Sequence, residues 1–184
     1  SAILAKALNA DYWKPIQSGL HRDTETVASL ISNKKTHFFQ ERFLLKKPAS
    51  PHDAAQDEGI TVQLSDFSLP VSDNLVIEGA GGCLVPINNN EFIIDLAEKF
   101  RAKIILVADL YLGSINHTLL TANLLHQREL EVVGIVFNGP HNRASEEVIL
   151  KHSGYKKLLH INKEPSVSRT TVLRYAAILK ENLK

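Results

Sequence analysis

The sequence predicts an α/β fold with a mainly parallel sheet covered by helices on both faces. Short apolar runs alternate with helical patterns along most of its 184 residues, and this alternation is typical of parallel α/β folds. The run Leu75-Val76-Ile77 is continuously apolar, as expected of a strand buried on both faces. A chain of this length can build one well-buried core, so a single domain covering 1–184 is expected.

The elements follow from local pattern. Five apolar runs, closed by proline, an acid, asparagine or other polar residues, predict strands at 12–15, 75–78, 104–108, 132–138 and 157–161. Six amphipathic patterns predict helices at 1–8, 24–32, 92–100, 115–128, 145–152 and 170–183. Segment 34–69 is less regular. Its residues Pro48, Pro51 and Gly59 indicate loops and short helices over the ligand edge of the sheet.

Composition narrows the class of protein. The formal net charge is +1, which argues against a nucleic-acid binder driven by a basic surface. No apolar stretch approaches the roughly 20 residues that cross a bilayer, and no secretory signal pattern is present. The single cysteine, Cys83, cannot form an internal disulfide. A cytoplasmic protein that binds neither nucleic acid nor membrane is therefore expected.

The most informative segment runs from Leu75 to Gly82. Its apolar strand ends in one carboxylate, Glu78, and three glycines follow within four residues, including Gly79 and Gly81. Open α/β sheets bind ligands at the carboxyl ends of their strands, and glycines allow backbone to approach a phosphate closely. An acid at that edge is placed to hold Mg²⁺, directly or through water. The alternative is that Glu78 only caps a tight turn.

Two further segments carry candidate site residues near the first strand. Pro15 biases Lys14 away from helix, so its ammonium projects from a strand end, where it can neutralise a phosphoryl group. Ser18 offers a hydroxyl in the same loop; the alternative is a surface lysine beside a solvent-exposed turn. Asp23 opens the next helical pattern and is a good N-cap, with Glu25 in the first turn.

Two strand-to-helix junctions complete the candidates. Gly113-Ser114-Ile115-Asn116 precedes a strongly periodic helix, whose amino terminus offers N–H groups and a favourable dipole to an anion. An ordinary turn capped by Ser114 or Asn116 is the alternative. Asn138 ends a strand before Gly139, and its amide can both donate to and accept from an adenine edge. An Asn-Gly turn is equally expected there.

Four segments together resemble the dethiobiotin synthetase family, ATP-dependent ring-closing enzymes of biotin synthesis. In order they are YWKPIQSG at 12–19, SPHDAA at 50–55, VIEGAGG at 76–82 and LGSINH at 112–117. The resemblance extends from about the first residue to Asn138 and implies a fold like that of P-loop NTPases. It also implies ATP and Mg²⁺, the small-molecule substrates 7,8-diaminononanoate and CO2, and a homodimer.

The resemblance also implies residue roles. Lys14 would contact a carbamate and the γ-phosphate, and Ser18 would help to hold the diamine or carbamate. Asp23 and Glu78 would associate with Mg²⁺, although Glu25 is an alternative to Asp23. Glu78, Gly79, Gly81 and Asn138 would bind nucleotide, with Asn138 at the adenine edge. Residues 113–116 would capture the substrate's tail carboxylate across the dimer interface, and His52 would border the diamine or only begin a helix.

Two departures from the family pattern affect the nucleotide site. The loop G-x-x-x-x-G-K-[ST] of such enzymes does not occur in the sequence. The pattern of residues 1–8 is typical of the middle of a helix, and the chain contains no methionine. We therefore expect the first strand and this loop to precede Ser1. Many members also have proline where Asn162 follows Ile161, which leaves the nucleotide preference open.

Two other protein classes share parts of this pattern. A related P-loop amidoligase domain would share the sheet and the glycine turn, but it normally carries a glutaminase domain, for which this chain is too short. A nonenzymatic ATP switch of the partition or septum-positioning type would have an amphipathic membrane-binding tail or a basic surface. The apolar residues of 170–183 suit docking on a core at least as well.

Overall fold

A computed structural model describes residues 1–31, 33 and 35–183. The described chain contains seven α-helices and eight strands, and every pairing between strands is parallel. The prediction of an α/β fold built on parallel strands is therefore confirmed. The chain divides into two compact units, one formed by 1–100 with 168–176 and the other by 101–167 with 177–183. The single domain stays a prediction.

The first unit holds two parallel strand groups and their helices. Its elements are α1 (Ala2–Leu8), β1 (Asp11–Trp13), β2 (Ile16–Ser18), α2 (Asp23–Leu30), β3 (Phe38–Phe39), β4 (Phe43–Leu45), α3 (Pro51–Asp57), a 3₁₀ turn (Leu64–Asp66), β5 (Leu75–Ile77) and α4 (Ile93–Lys99). The sheet order is β3-β1-β5, and β2 pairs separately with β4. Because Trp13 lies opposite Ile77 in the register, Lys14 and Glu78 leave neighbouring strands at the same edge.

The core of the first unit lies on both faces of β1. Tyr12 and Trp13 are both buried, and they belong to different apolar clusters. Successive side chains of a strand point to opposite faces, so these two residues anchor β1 from each side. The anchoring fixes the strand end from which Lys14 emerges.

The second unit is a three-stranded parallel sheet with its helices. Its elements are β6 (Ile104–Asp109), α5 (Ser114–Gln127), β7 (Val132–Asn138), α6 (Arg143–Ser153) and β8 (Lys157–Ile161), together with the end of α7 (Arg169–Asn182). The order is β6-β7-β8, with Asp109 opposite Asn138 and Asn138 opposite Ile161. Three strands thus end at one edge, above a core that includes Ile135, Phe137 and Ile149.

The predicted element boundaries differ from the structure mainly between residues 14 and 45. The first strand ends at Trp13 rather than Pro15 because proline has no N–H to donate to a ladder. The sequence predicted that Ser18 lies in a loop, but in the structure Ser18 is the last residue of β2. The short strands β2, β3 and β4 were not predicted. Of the predicted helix 24–32, the structure shows Asp23–Leu30, and Ser32 lies outside the described residues.

Among the described residues, every helix is too short or too polar to cross a membrane.

Candidate active site

Lys14 is the centre of the site in the first unit. Its ammonium lies 2.7 Å from Asp23 Oδ2 and 3.3 Å from Glu78 Oε1, and it donates to the Gly79 carbonyl at 3.4 Å. Lys14 is only 5% exposed, so the interpretation as a surface lysine is wrong. The paired ends of β1 and β5 hold the arrangement, because the Glu78 N–H donates to the Trp13 carbonyl at 2.9 Å.

Asp23 is the first residue of α2, and Arg22 occupies the N-cap position. The prediction that Asp23 caps this helix is therefore wrong by one residue. Its backbone N–H donates to Gln17 Oε1 at 3.0 Å, while its carboxylate pairs with Lys14. Glu25 instead pairs with Arg22 at 3.3 Å, so the structure places Asp23, and not Glu25, beside Lys14.

Glu78 is held as a carboxylate. Burial raises the pKa of Glu78, whereas the positive charge of Lys14 and the hydrogen bond from Tyr12 lower it. Burial also raises the pKa of the Tyr12 phenol, and Glu78 raises it further. Tyr12 therefore stays protonated and donates to Glu78 Oε2 at 3.0 Å, which fixes the orientation of the carboxylate.

Ser18 carries a hydroxyl without a protein partner. Within the described part of the chain, its Oγ is buried and makes no hydrogen bond. A buried polar group is normally hydrogen-bonded, so this atom is suited to a ligand. The buried side chain of Gln17 fixes the surrounding backbone, since its Nε2 donates to the carbonyls of Ser18 at 3.2 Å and His21 at 3.3 Å.

The glycine turn after β5 is closely packed at two positions. A Cβ added to Gly79 would lie 2.8 Å from Ile93 Cγ2, and one added to Gly81 would lie 2.9 Å from Val85 Cγ2. Gly81 also has φ +83°, a left-handed conformation that side chains strongly disfavour. The turn therefore requires glycine at both positions and presents bare backbone at the strand end.

In the second unit, residues 113–116 begin α5 as predicted. Gly113, at φ 102°, is the N-cap and offers no side chain, so the expectation of a cap by Ser114 or Asn116 is wrong. The segment lines an open depression of about 840 Å³, together with Tyr111, Leu112 and residues of α5 and α6. Leu112 is fully exposed, and Tyr111 and Leu120 are more than half exposed. This rim is apolar and surrounds a helix amino terminus.

Asn138 is exposed at the end of β7 and donates from Nδ2 to Asp109 Oδ1 at 3.1 Å. Gly139 follows at φ +103° in a bend after the strand, and its N–H donates to the Ile161 carbonyl at 2.9 Å. Asp109, which the sequence analysis did not select, shares this edge because it ends β6 opposite Asn138. His52 is the second residue of α3, where its Nδ1 lies 2.9 Å from Ser50 Oγ. The expected helix start is present, and a position of His52 beside the diamine stays a prediction.

Sequence reasoning missed one supporting network in the first unit. Glu41 is paired with Arg22 at 2.5 Å and accepts from Thr24 Oγ1 at 2.6 Å. Burial raises the pKa of Glu41, but the hydrogen bonds from Arg22 and Thr24 outweigh it and lower the pKa. These contacts fix the start of α2 and hence the position of Asp23. Nothing in the local pattern around Glu41 signals the contact.

The structure therefore brings Lys14, Asp23, Glu78 and Gly79 together, with Ser18 positioned by Gln17 on the following strand. A family model described as an AAA domain matches residues 1–171. A lysine and a carboxylate at the ends of parallel strands, a second carboxylate at a helix start and a glycine turn meet at this site. Together with the family match, they define a nucleotide-dependent enzyme of the P-loop NTPase class.

Relatives define the family more closely. The chain is 49% identical to the ATP-dependent dethiobiotin synthetase BioD of Cytophaga hutchinsonii, over 99% of this chain and 90% of that protein. It is 43% identical to that of Christiangramia forsetii, over all of this chain and 89% of the relative. It is 41% identical to the ATP-dependent dethiobiotin synthetase BioD of Afipia carboxidovorans, over all of this chain and 89% of that relative. The chain belongs to the dethiobiotin synthetase family.

Proposed function

We propose that this protein uses ATP to carboxylate 7,8-diaminononanoate with CO2 and to close the ring, which gives dethiobiotin, ADP and phosphate. The observation that carries the proposal is the Lys14 ammonium, buried at the strand edge between Asp23 and Glu78 and beside the glycine turn. The relatives named dethiobiotin synthetases support it, and no feature favours the amidoligase or the ATP switch.

The proposed reaction has three steps. One substrate amine adds to CO2 and loses a proton, which forms a carbamate. A carbamate oxygen then attacks the γ-phosphorus of ATP and displaces ADP, which leaves a carbamic–phosphoric anhydride. The second amine attacks the carbonyl carbon and expels phosphate, which closes the cyclic urea. Such reactions depend on positioning and on neutralising charge more than on a strong base.

The residues of the first unit can supply those two effects. Lys14 brings a positive charge that is fixed by two carboxylates and a carbonyl, so little reorganisation is needed as negative charge develops on the transferring phosphoryl group. The Ser18 hydroxyl, which lacks a protein partner among the described residues, would donate to the carbamate. The backbone of 79–82 approaches without side chains and would orient the same group.

Mg²⁺ fits the donor set of Asp23 and Glu78. Two carboxylates face the single ammonium of Lys14, so the side chains retain negative charge for a hard cation, and oxygen ligands are those that Mg²⁺ prefers. When bound, Mg²⁺ would neutralise phosphate oxygens of ATP. Tyr12 would then serve as a positioning residue, because it fixes the carboxylate plane of Glu78 through Oε2.

The second unit would supply recognition of the other substrate parts. The start of α5 at 113–116 faces an open depression with an apolar rim, which suits a carboxylate on an apolar chain. Asn138 is exposed at the strand edge and would contact the adenine. The exposed apolar residues Tyr111, Leu112 and Leu120 support a homodimer interface at this rim. We also propose that the protein is located in the cytoplasm.

The proposed reaction requires all of its substrates at once. With the full-length protein and Mg²⁺, release of phosphate from ATP is expected to need both diaminononanoate and bicarbonate. Rapid release of phosphate that does not depend on the diamine would contradict the proposal and would favour the ATP switch.

Ser18→Ala is expected to lower turnover about tenfold, because it removes one hydrogen bond to the carbamate. The folded state should be almost unaffected, since Ser18 Oγ makes no hydrogen bond within the described chain. Steady-state phosphate release measures the effect. Ser29→Ala, on the exposed side of α2, is the matched control. Equal turnover in the two variants would remove Ser18 from the substrate site.

A shared site between two subunits predicts complementation. Chains with Lys14→Ala lack the phosphoryl site, whereas chains with Asn116→Asp place negative charge at the proposed carboxylate site. A heterodimer would contain one site with neither change, so each heterodimer formed on mixing should regain up to about half the activity of a parent dimer. Mass spectrometry of differently labelled chains must first show that subunits exchange. Exchange without returning activity would contradict the shared site.

A further inference from the structure

A second group of ligand-type side chains lies in the second unit, at the strand edge that also carries Asn138, and it includes no residue given a role above. The His–Glu–His cluster consists of His141 after β7, Glu146 in α6 and His160 in β8. One ligand atom from each residue lies within 4.8 Å of the others. Glu146 Oε1 is 2.5 Å from His141 Nδ1 and 3.1 Å from His160 Nδ1. Two imidazoles therefore converge on one carboxylate oxygen.

The carboxylate of Glu146 is buried and only half satisfied. Glu146 is 4% exposed, and its Oε2 pairs with Lys157 Nζ at 2.6 Å. Within the part of the chain that the structure describes, its Oε1 is buried without a hydrogen bond of normal geometry, and so is His160 Nδ1. Buried polar atoms are normally hydrogen-bonded, so the two atoms are suited to a shared ligand.

The other nitrogen of His160 fixes the tautomer of the ring. Its Nε2 lies 3.0 Å from the Gly139 carbonyl, which can only accept, so Nε2 carries the hydrogen. In the neutral ring, Nδ1 then has a lone pair close to the negatively charged Oε1. Two acceptors at that separation repel each other unless a proton or a metal ion lies between them. A carbonyl that accepts from the second ring nitrogen is also the usual support of a metal-bound histidine.

We propose that His141, Glu146 and His160 bind a divalent transition-metal ion of the zinc type. The donor set of two imidazole nitrogens and one carboxylate oxygen is one that zinc uses, with water in the fourth position. With bonds of about 2.0–2.1 Å, two ligand atoms of a tetrahedral ion are about 3.3 Å apart, close to the 3.1 Å between Glu146 Oε1 and His160 Nδ1. The 2.5 Å contact between Glu146 Oε1 and His141 Nδ1 must lengthen to admit the ion, which is possible because His141 is exposed.

The surroundings fit a cation of this class. Lys157 binds the other oxygen of Glu146 and leaves Oε1 available for the ion. Imidazole nitrogens favour zinc, cobalt or nickel over Mg²⁺, which prefers oxygen ligands. The cluster ties the end of β7, the start of α6 and the end of β8 to one point, so the ion would stabilise this strand edge. It shares no residue with the Asp23 and Glu78 site, and it does not depend on the proposed reaction.

Titration of the nucleotide-free protein with Co²⁺ tests the proposal, because four-coordinate cobalt gives a strong visible absorption band. The parent protein is expected to develop this band to one equivalent and to lose it when Zn²⁺ is added. His141→Asn, at an exposed position, should weaken binding at least about tenfold without unfolding the chain, which circular dichroism checks. Glu146→Gln should abolish the band.

His152→Asn is the matched control, since His152 is an exposed histidine on α6, the helix that carries Glu146. The cobalt titration of this variant should overlay that of the parent. Absence of the visible band in the parent would overturn the proposal. A folded His141→Asn variant that binds cobalt as the parent does would also overturn it.

Discussion

Lys14→Ala is expected to lower the turnover of diaminononanoate by a factor of about a hundred or more. The substitution removes a fixed positive charge from the reacting phosphoryl group, and losing one such stabilising group typically costs about 2.7–4 kcal/mol of barrier height. The effect should fall on kcat, because the charge is needed most when negative charge moves in the transition state. Steady-state formation of dethiobiotin under saturating ATP measures it.

The controls separate chemistry from folding. Lys14 is buried between two carboxylates, so its removal also leaves them facing each other and lowers stability. Thermal unfolding of Lys14→Ala must therefore show that the variant is folded at the assay temperature. Lys46→Ala removes an exposed lysine from the same unit and should leave turnover unchanged. A folded Lys14→Ala variant with a near-normal rate would remove Lys14 from the reaction.

Glu78→Gln is expected to raise the Mg²⁺ concentration for half-maximal activity by a factor of about thirty. The amide keeps the shape of the side chain but removes one negative charge from the proposed ligand set. We expect the binding free energy of Mg²⁺ to weaken by about 2 kcal/mol, which corresponds to that factor. This is half of the interaction energy of two unit charges 4 Å apart at a protein surface. Titration of activity with Mg²⁺ at fixed free ATP measures the shift.

Glu25→Gln is the matched control for this prediction. It removes a carboxylate two positions from Asp23 on the same helix, but Glu25 contacts Arg22 and not Lys14. Its Mg²⁺ titration should therefore overlay that of the parent. If the Glu78→Gln titration overlays the parent as well, Glu78 serves only the turn. A shift in Glu25→Gln alone would restore the alternative that Glu25 replaces Asp23.

The parts that were predictable from sequence are those coded by local pattern. Apolar continuity gave Val132–Asn138 and Lys157–Ile161 as strands with the bounds observed. The acid at the end of 75–77 lies at the sheet edge because parallel strands bring their carboxyl ends together. The short strand Ile16–Ser18 was missed because its pairing with Phe43–Leu45 is a contact between distant segments, which no local periodicity reports.

Site residues that act through tertiary contacts could not be found from sequence. Gln17 stands between an isoleucine and a serine and shows no pattern, yet its side chain bonds to both Ser18 and Asp23. The His–Glu–His cluster joins residues of β8, α6 and the turn after β7, at spacings that match no familiar metal motif. In both cases the chemistry depends on which strands are adjacent, and adjacency is fixed by the fold as a whole.

The central claim is that this protein joins CO2 to a diamine at the expense of ATP. The most direct measurement supplies ¹³C-bicarbonate, diaminononanoate, ATP and Mg²⁺ to the full-length protein and analyses the product by mass spectrometry. The account predicts dethiobiotin that is one mass unit heavier, with one phosphate released for each molecule formed. Hydrolysis of ATP without a labelled cyclic urea would contradict it.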